Sequence, residues 1–403
     1  MIKSDTPPDC GCDVLVAGAG LAGLAAAIAF ARAGFDVVCC GPAEQLANGR
    51  TVALLDRSVA YLKSLSLWHA IEPAAAPLRR LGIVDASGGL FPPRPVEFES
   101  AEIGLDAFGW NIENDLMADA LAANAARTPG LARISSAATD YDFSEERALV
   151  RLADRHVTAA AVVVAADGRN SSARRAAGLS ARMHRYPQSA LTTILSHRRP
   201  HRDLSIELHT RGGPFTLVPL PANEVHPHRS SLVWAMGEDD ARRRSQLDDA
   251  ALAREIEDQA RSAFGAMRIA GARGLTPMAR LIAPRIVSRR LALVGDAAHA
   301  LPPIGAQGLN LGLRDVAAIV DCAAKARAED RDIGGGDVLR MYEGRRRADI
   351  FLRTAVVHGL NQALLTHLAP LDFARAAALA ALGAFGPLRR FVMREGVAPH
   401  LAG

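Results

Sequence analysis

The chain has 403 residues, of which 49% are apolar and 22% are charged, and this balance excludes a largely disordered protein. Its length exceeds what one ordinary hydrophobic core occupies, so we expect either one large domain or two intertwined ones. The net charge is only +4, and no segment combines clustered basic residues with aromatic ones, which argues against a nucleic-acid partner.

The N-terminal part of the chain predicts an α/β arrangement that begins with a βαβ unit. An apolar strand over 14–17, an alanine-rich helix over 21–33 and a second strand over 36–40 surround a glycine-rich turn. The elements predicted next are a helical stretch over 51–70, short strands over 81–98 joined by turns such as 87–89, a helix over 114–126 capped by Asn114 or Asp115, and strands over 149–167.

Residues 191–237 differ in character, because short β-rich runs alternate there with Pro, Gly, Arg and His clusters. They predict an antiparallel meander inserted as a second layer. Alternation in "SLVWAMG" puts Leu232, Trp234 and Met236 on one face, which we expect to be core rather than substrate contact. The elements predicted last are a charged helix over 248–264, a buried strand over 291–294, a loop over 334–336 with Asp337 as a helix cap, and further helices. Ligands often lie where such layers meet.

The cysteines and the N-terminal segment bear on the cellular compartment. The five cysteines are Cys10, Cys12, Cys39, Cys40 and Cys322. An odd number does not suit a disulfide framework and predicts a reducing compartment, and no second Cys/His cluster completes a metal site.

Acidic residues precede the first apolar run and glycines interrupt it, so we do not expect a signal peptide. No apolar stretch approaches the roughly 20 residues of a membrane span, so we expect a soluble, cytoplasmic protein.

The first motif, "GAGLAG", places Gly18, Gly20 and Gly23 at GxGxxG spacing between a strand and a helix. The first glycine permits a tight turn, the second lets a pyrophosphate approach the backbone, and the third allows close helix–strand packing. The helix N-terminus at Leu21 and Ala22 offers free amides to phosphates. The motif predicts dinucleotide binding, and a glycine-rich turn of an ordinary α/β protein is the alternative.

One position departs from this motif. An acidic residue that binds the ribose is expected at the end of the second strand, where the chain has Gly41 and Pro42. Glu44, in the following loop, is a candidate substitute. The contact with the adenosine ribose therefore stays open.

Two further motifs follow predicted strands. "AADGRNSSARR" has Asp167, Gly168, Ser171 and Arg174 at DGxxSxxR spacing, which equally suits a strand end, a turn and a helix cap. "LVGDAAHALPPIGAQGLNLGLRD", residues 293–315, has Gly-Asp at the end of a buried strand. An aspartate there can accept hydrogen bonds from sugar hydroxyls, and a capping aspartate is the alternative.

Together, in this order and at these spacings, the three motifs resemble the FAD-dependent aromatic hydroxylases (group A flavoprotein monooxygenases), and among them the ubiquinone-biosynthesis hydroxylases. The stretches 299–315, 49–68 and 213–221 are similar to that branch, and the likeness extends over nearly the whole chain. The resemblance implies an α/β fold of the p-hydroxybenzoate hydroxylase type. It implies a Rossmann-like FAD-binding domain (1–75, 100–180 and 275–330), an inserted antiparallel β-sheet substrate domain (76–99 and 181–274) and a helical C-terminal region (331–403).

The resemblance also implies which residues serve FAD. The expected cofactor contacts are Gly18, Gly20, Leu21, Ala22, Gly23, Arg50, Asp167, Gly168, Gly295, Asp296, Pro303, Gly305, Gly308, Leu309 and Asn310. The glycine motif would hold the pyrophosphate, Asp296 the ribityl chain, and Asp167-Gly168 the pyrophosphate and transiently docked NADPH or NADH. Many relatives carry Arg where this chain has Asp115, which leaves one phosphate contact open.

A loop facing the flavin is implied at Pro303, Gly305, Gln307 and Gly308. Proline and glycine let backbone lie against the ring without intervening side chains. The helix predicted to begin near Leu309 would direct its N-terminal amides at the ring and stabilise the negative charge of reduced flavin. We expect His299 to be structural, and no catalytic acid or base is identified.

The implied activity is hydroxylation of an aromatic ring with NADPH or NADH as a visiting reductant and dioxygen as the oxygen source. We expect a polyprenylated phenol of ubiquinone biosynthesis as the substrate. Another aromatic or polyketide metabolite is an alternative, as is a low-turnover FAD-binding scaffold in a quinone-assembly complex.

Apolar helices with flanking arginines over 338–393 predict peripheral contact with the inner face of the membrane or with other quinone-biosynthesis proteins. Helices packed on the core, with solvated arginines, are the alternative.

Overall fold

The predicted βαβ unit opens the computed structural model, which describes residues 9–42, 49–86, 95–144, 146–365, 377 and 381–397. It consists of β1 (Cys10–Ala17), α1 (Leu21–Arg32) and β2 (Val37–Cys40), and β1 and β2 are parallel. Residues 23–31 of α1 are all buried. A helix that is apolar all round lies inside a protein, and α1 packs between the sheet and two other helices.

The remaining strands are β3 (Thr51–Leu55), β4 (Ala75–Pro77), β5 (Arg80–Asp85), β6 (Val96–Glu99), β7 (Gly109–Glu113), β8 (Leu131–Ile134), β9 (Ala138–Asp142), β10 (Ala148–Leu152), β11 (Val157–Ala165), β12 (Arg182–His197), β13 (Leu204–Thr210), β14 (Gly213–Leu220), β15 (Arg229–Gly237), β16 (Met267–Ile269), β17 (Gly274–Ile282), β18 (Val287–Ser288), β19 (Leu291–Leu293) and β20 (His299–Ala300). The remaining helices are α2 (Asp56–Ser64), α3 (Trp68–Ile71), α4 (Asn114–Ala125), α5 (Ser172–Ala176), α6 (Glu238–Ser245), α7 (Asp249–Gln259), α8 (Gln307–Ala328), α9 (Gly336–Leu365) and α10 (Gly386–Val397).

The first sheet has the lateral order β18-β19-β11-β1-β2-β8, and β10 and β9 extend it from the first half of β11. Strands β19, β11, β1, β2 and β8 are parallel to one another. The last residues of three adjacent strands, Ala17, Ala165 and Leu293, are in register. Each of the three sequence motifs begins just beyond one of these strands, so all three converge on the carboxyl edge of the sheet, where open α/β sheets bind ligands.

The second sheet has the order β20-β17-β12-β15-β14-β13-β5-β6, with β16 also paired to β12. Its pairs are antiparallel except β5 with β13. The predicted simple meander over 191–237 is wrong in one respect, because β12 pairs with β15 rather than with β13. Leu232, Trp234 and Met236 are buried in one cluster with Phe215 and residues of α7, which confirms that this face of β15 is core.

Several predicted local boundaries differ from the structure. Residues 51–55 form β3 instead of a helix because they pair with β7 in a third sheet of order β3-β7-β4. Glu113 precedes α4 without a side-chain cap, so neither predicted residue caps that helix. Asp337 lies in the first turn of α9, which begins at Gly336. The predicted turn at 87–89 and Glu44 lie outside the described residues.

The division into FAD-binding, substrate and C-terminal regions stays a prediction. In the described part of the chain, no helix is both long enough and apolar enough to cross a membrane.

Candidate functional site

A cavity of about 770 Å³ is lined by both large sheets and by the C-terminal helix α10. At one end lie the backbone and polar groups of the three motifs, on the carboxyl edge of the first sheet. At the other end lie apolar side chains of the second sheet and α10. The two ends are continuous, so two molecules placed in them would lie next to each other.

The three glycines of the first motif have different surroundings. Gly18 has φ +114°, and a Cβ there would lie 2.3 Å from the carbonyl oxygen of Ala166. A Cβ on Gly23 would lie 1.8 Å from the carbonyl oxygen of Gly18. Neither residue lines the cavity, whereas Gly20 does, and a Cβ on Gly20 would meet no atom within 4 Å. The two outer glycines therefore shape the turn and the middle one leaves room for a ligand.

The N-terminus of α1 faces the same space. Leu21 and Ala22 line the cavity, and no side chain caps the helix. Its first backbone N–H groups lack intrahelical partners, and together with the positive end of the helix dipole they suit a phosphate group.

The DGxxSxxR motif is mainly a structural unit. The Asp167 Oδ2 accepts hydrogen bonds from the backbone N–H groups of Ser172 (2.7 Å) and Ala173 (3.2 Å) at the start of α5. Asp167 does not line the cavity, and its Oδ1 atom is buried without a partner within the described residues, so its contact with FAD stays a prediction. Gly168, with φ +79°, and Arg169 line the cavity instead. The aspartate thus fixes the turn that presents the next two residues.

The Gly-Asp turn after β19 is hydrogen-bonded to the buried carboxylate of Asp315. Gly295 N–H donates to Asp315 Oδ2 (3.0 Å), which also accepts from His299 Nε2 (2.6 Å). Arg346 Nε donates to the Oδ1 atom of the same aspartate (2.7 Å). Burial acts to raise the pKa of Asp315, but the charges and hydrogen bonds of His299 and Arg346 outweigh it and hold the pKa below its ordinary value.

This arrangement confirms that His299 is structural, since it is fully buried and does not line the cavity. Asp296, by contrast, lines the cavity and is exposed. Its carboxylate is therefore free to accept hydrogen bonds from a ligand that carries hydroxyl groups.

The proline- and glycine-rich loop forms one wall of the cavity without interruption from 302 to 309. Gly305 (φ +63°) and Ala306 (φ +53°) turn the chain into α8, which begins at Gln307, two residues earlier than predicted. A Cβ on Gly305 or Gly308 would meet no atom within 4 Å. Backbone, rather than side chains, faces the cavity at these two positions.

Asn310, for which a cofactor contact stays a prediction, directs its side chain to β3. Its side chain is buried, does not line the cavity, and bonds to β3: Oδ1 accepts from Leu55 N–H (2.8 Å), and Nδ2 donates to the Ala53 carbonyl (2.7 Å). Asn310 therefore fixes the start of α8 against β3.

Two buried acceptors at this end of the cavity lack a partner within the described residues. They are Asn114 Oδ1 and Gln307 Oε1, and both residues line the cavity together with Arg50 and Pro303. Sequence reasoning treated Asn114 only as a helix cap. Buried acceptors are costly when left unsatisfied, so both atoms point to a ligand that donates hydrogen bonds. FAD fits this end, since its ribityl hydroxyls and its ring N–H are donors and its pyrophosphate suits the N-terminus of α1.

The other end of the cavity is predominantly apolar, and sequence reasoning did not identify its residues. The apolar side chains there are Leu78, Leu81, Ile83, Phe98, Phe108, Val218, Val233, Met278, Leu382, Val392 and Met393. The polar side chains that the second sheet contributes are Arg80, Thr192, Ser205, Glu207, Thr216 and Thr276. Alternation in "LSIELHT" could have placed Ser205 and Glu207 on one face, although it could not have shown which face meets a cavity.

Comparison with known proteins adds independent information. Residues 11–350 match the profile of a protein family described as "FAD binding domain". The chain is 32% identical to the ubiquinone hydroxylase UbiL of Rhodospirillum rubrum over 394 residues, which cover 95% of this chain and 89% of that protein. It is 30% identical to the 3-demethoxyubiquinol 3-hydroxylase of Escherichia coli, with 95% of this chain and 97% of that protein covered.

Two solved structures illustrate the likeness in fold. The p-nitrophenol 4-monooxygenase PnpA of Pseudomonas putida superposes with a TM-score of 0.79 at 17% identity, covering 98% of this chain and 99% of that one. A single-residue variant of HpxO from Klebsiella pneumoniae, complexed with FAD, gives a TM-score of 0.75 at 18% identity, covering 96% of this chain and 99% of that one. At these identities the likeness concerns the fold, and it agrees with the predicted p-hydroxybenzoate hydroxylase type.

Proposed function

The chain belongs to the FAD binding domain family, and from this premise we propose that it is an FAD-dependent monooxygenase acting in ubiquinone biosynthesis. It uses NADPH or NADH and dioxygen to hydroxylate an aromatic ring. Its substrate is a polyprenylated phenol. The names of the two curated relatives support the pathway, since both describe ubiquinone or ubiquinol hydroxylases.

The observation that carries this proposal is the single cavity with two chemically different ends. The end at the first sheet offers glycine backbone, a helix N-terminus and unpartnered acceptors, which suit FAD. The end at the second sheet is lined mainly by apolar side chains, which suit an aromatic ring with a hydrocarbon tail. Continuity between the ends would bring the ring of the substrate next to the flavin.

FAD, when bound, supplies the redox chemistry with dioxygen. The residues that would hold it are Gly20 and the following amides of α1 at the pyrophosphate, Asp296 at the ribityl chain, and the backbone of 302–309 at the ring. The first N–H groups of α8 would stabilise negative charge on the ring. The apolar end would keep water away from the reacting atoms, and the reductant would dock from the surface at Gly168 and Arg169.

The proposal also includes contact with an anionic membrane surface through the C-terminal helices. Large apolar side chains stand exposed on α9 and α10, among them Phe351 (73%) and Phe391 (63%). Exposed arginines flank them at Arg347, Arg390 and Arg394. Apolar side chains bordered by arginines suit insertion among anionic headgroups.

Helix α10 also borders the cavity. Val392 is 41% exposed and lines the apolar end, and Met393 beside it is buried there. A prenylated substrate could therefore pass from the lipid to the cavity past α10 without crossing water.

The pathway assignment is tested by profiling the quinones of cells that lack the protein. We expect a prenylated phenol short of one hydroxyl group to accumulate and the intact protein to restore ubiquinone. Asp296→Ala should lose FAD and fail to restore it. Asp239→Ala, which changes a fully exposed carboxylate on α6, should restore it. An unchanged ubiquinone pool in a strain without another quinone hydroxylase would contradict the pathway and favour a different aromatic substrate.

The enzymatic assignment is tested with purified, FAD-loaded protein. NADPH oxidation should rise when 2-farnesylphenol is added, and a hydroxylated product should carry oxygen from labelled dioxygen. NADPH oxidation that stays flat despite bound FAD would favour a scaffold with little turnover.

The membrane contact is tested by flotation with liposomes. Wild-type protein should float with anionic vesicles and less with neutral ones, and the double variant Phe351→Ser/Phe391→Ser should lose flotation. Val225→Ser, at an apolar residue that is 75% exposed on a loop remote from α9 and α10 in sequence, serves as the control. Absence of wild-type flotation would contradict the contact.

A further inference from the structure

One carboxylate stands among the apolar residues of the cavity. Glu207 lies on β13 and lines the cavity, and its side chain is only 15% exposed. The imidazole Nε2 of His209, two residues along the same strand, donates to Glu207 Oε1 at 2.8 Å. The His209 side chain is 11% exposed and does not line the cavity.

The position of Glu207 is unusual for a structural residue. Its cross-strand neighbours are Ile83 on one side and Thr216 on the other, followed by Val233 of β15, and all three line the cavity. Among the described lining residues the only other carboxylate is Asp296, at the FAD end. A carboxylate is costly to place beside apolar groups.

The charged groups nearest on the flanking strands do not neutralise it. On β5, Arg80 lines the cavity but pairs with Glu97 of β6, and Asp85 carries a like charge. Strand β14 on the other side carries no ionisable side chain. Within the described part of the chain, the hydrogen bond that supports Glu207 is the one from His209 to Oε1, and the second oxygen remains for a ligand.

We propose that Glu207 is the catalytic base that accepts the phenolic proton of the substrate, and that His209 is a positioning residue that orients it. The inference rests on the proposed function and names a group that sequence reasoning could not find. The aromatic end of the substrate would lie with its hydroxyl toward β13 and its ring toward the loop at 302–309.

The proton and electron balance of this step is simple. As the ring carbon forms its bond to one oxygen atom derived from dioxygen, the O–O bond breaks and its electron pair leaves on the other oxygen atom, which ends as water. The ring is oxidised by two electrons and NADPH or NADH supplies the other two that reduce dioxygen. Electron density thus leaves the ring, and the phenolic O–H becomes much more acidic. The O–H bond breaks, its electron pair becomes the second bond of a ring carbonyl, and the proton passes to Glu207 Oε. Loss of the ring C–H proton to water restores aromaticity, and Glu207 returns its proton to the oxygen. The Glu207 carboxylate is basic enough because it accepts the proton while the acidity of the phenolic hydroxyl is rising.

The test compares kcat and KM for 2-farnesylphenol in FAD-loaded variants. Glu207→Gln should lower kcat by about 10²–10⁴-fold with KM little changed, while NADPH oxidation continues without product. Glu207→Asp keeps the base and should recover part of the loss, and His209→Gln should lower kcat by less than Glu207→Gln. Glu224→Gln, at an exposed loop residue, should match wild type.

A change of substrate distinguishes a base from a merely structural residue. A ring-fluorinated 2-farnesylphenol has a more acidic hydroxyl, so the ratio of wild-type to Glu207→Gln kcat should shrink with it. An equal ratio for both phenols, or an unchanged kcat in Glu207→Gln, would overturn the proposal.

A binding measurement keeps the proposal testable without turnover. The dye 2-farnesyl-4-nitrophenol reports its own ionisation by visible absorbance, and a carboxylate beside the hydroxyl disfavours the phenolate. At a fixed pH near 7, Glu207→Gln should therefore bind more of the dye as phenolate than wild type does. Equal phenolate fractions would overturn the placement of Glu207. If wild type binds the dye with this difference but does not hydroxylate 2-farnesylphenol, the proposed function fails while the location of Glu207 stands.

Discussion

Replacing Gly308 by alanine should separate folding from cofactor binding. Gly308 is the second residue of α8, and a methyl group built on it meets no atom within 4 Å. Alanine is favoured over glycine in helices by about 0.5–1 kcal/mol. The protein without FAD should therefore be slightly more stable, with a midpoint of thermal unfolding higher by about 0.5–1 °C for a chain of this size.

The same methyl group should weaken FAD binding. It would occupy the space that we assign to the flavin ring, and an extra methyl in a close-packed contact costs about 1–3 kcal/mol. This free energy corresponds to a dissociation constant roughly 5- to 150-fold higher. The quenching of FAD fluorescence on titration into the cofactor-free protein measures it, and thermal unfolding of that protein measures the stability.

Gly344→Ala provides the matched control. Gly344 is an exposed helical glycine in α9, a Cβ there also meets no atom within 4 Å, and it does not line the cavity. It should show a similar gain in stability with unchanged FAD affinity. If Gly308→Ala binds FAD as wild type does, the backbone at 308 does not approach the flavin. If Gly308→Ala loses stability without FAD, the space beside it is not open.

Three further predictions concern residues outside the cavity. Asp315→Asn removes one of the two carboxylates that pair with the buried Arg346 guanidinium, Asp349 being the other, and should cost about 3 kcal/mol at pH 7 in urea unfolding. The pKa of Asp315 is lowered in the folded protein. The stabilisation from its carboxylate is therefore full above the ordinary pKa of about 3.9 and is lost as the pH falls below that value. The difference in free energy of unfolding between wild type and Asp315→Asn should shrink over the same pH range. Gly41→Glu supplies the acid expected for ribose binding, yet a Cβ at that position lies 2.6 Å from the Ala19 nitrogen, so thermal unfolding should show destabilisation and FAD affinity should not improve. Unchanged stability of Gly41→Glu would contradict the close approach of these two loops. In the native protein, a thiol reagent followed by peptide mass spectrometry should label Cys10, the exposed cysteine, far faster than the buried ones. Burial raises the pKa of Cys12 to about 12, so its labelling should require unfolding, and rapid labelling of Cys12 in the native state would contradict this.

The sequence by itself determined the first layer and the location of the cofactor end of the cavity. The βαβ unit and the three motifs were predictable because each depends on local features: buried apolar strands, glycines at positive φ or at close contacts, and free amides at helix N-termini. Their convergence on one edge also follows from the sequence, since parallel strands present their carboxyl ends on the same side.

Within the motifs, the roles of individual residues were less accessible. Gly20 and Gly23 belong to one pattern, but one leaves space for a ligand and the other contacts the Gly18 carbonyl. Asp167 and Asn310 carry the right chemistry for cofactor contacts, and in the structure their side chains hold α5 and α8. Whether a polar side chain meets a ligand or a neighbouring backbone group depends on what is packed beside it.

Only the tertiary structure decided the other end of the cavity. Glu207 lines it because β13 pairs in parallel with β5 and antiparallel with β14, and these partners are more than 100 residues and about ten residues away in the chain. The alternation of side chains along a strand fixes which residues share a face, but not which face is covered or by what. Likewise, Met393 borders the cavity because α10 returns to the second sheet. Long-range pairing is the sum of many weak contacts distributed over the whole chain, and no short stretch of sequence contains it.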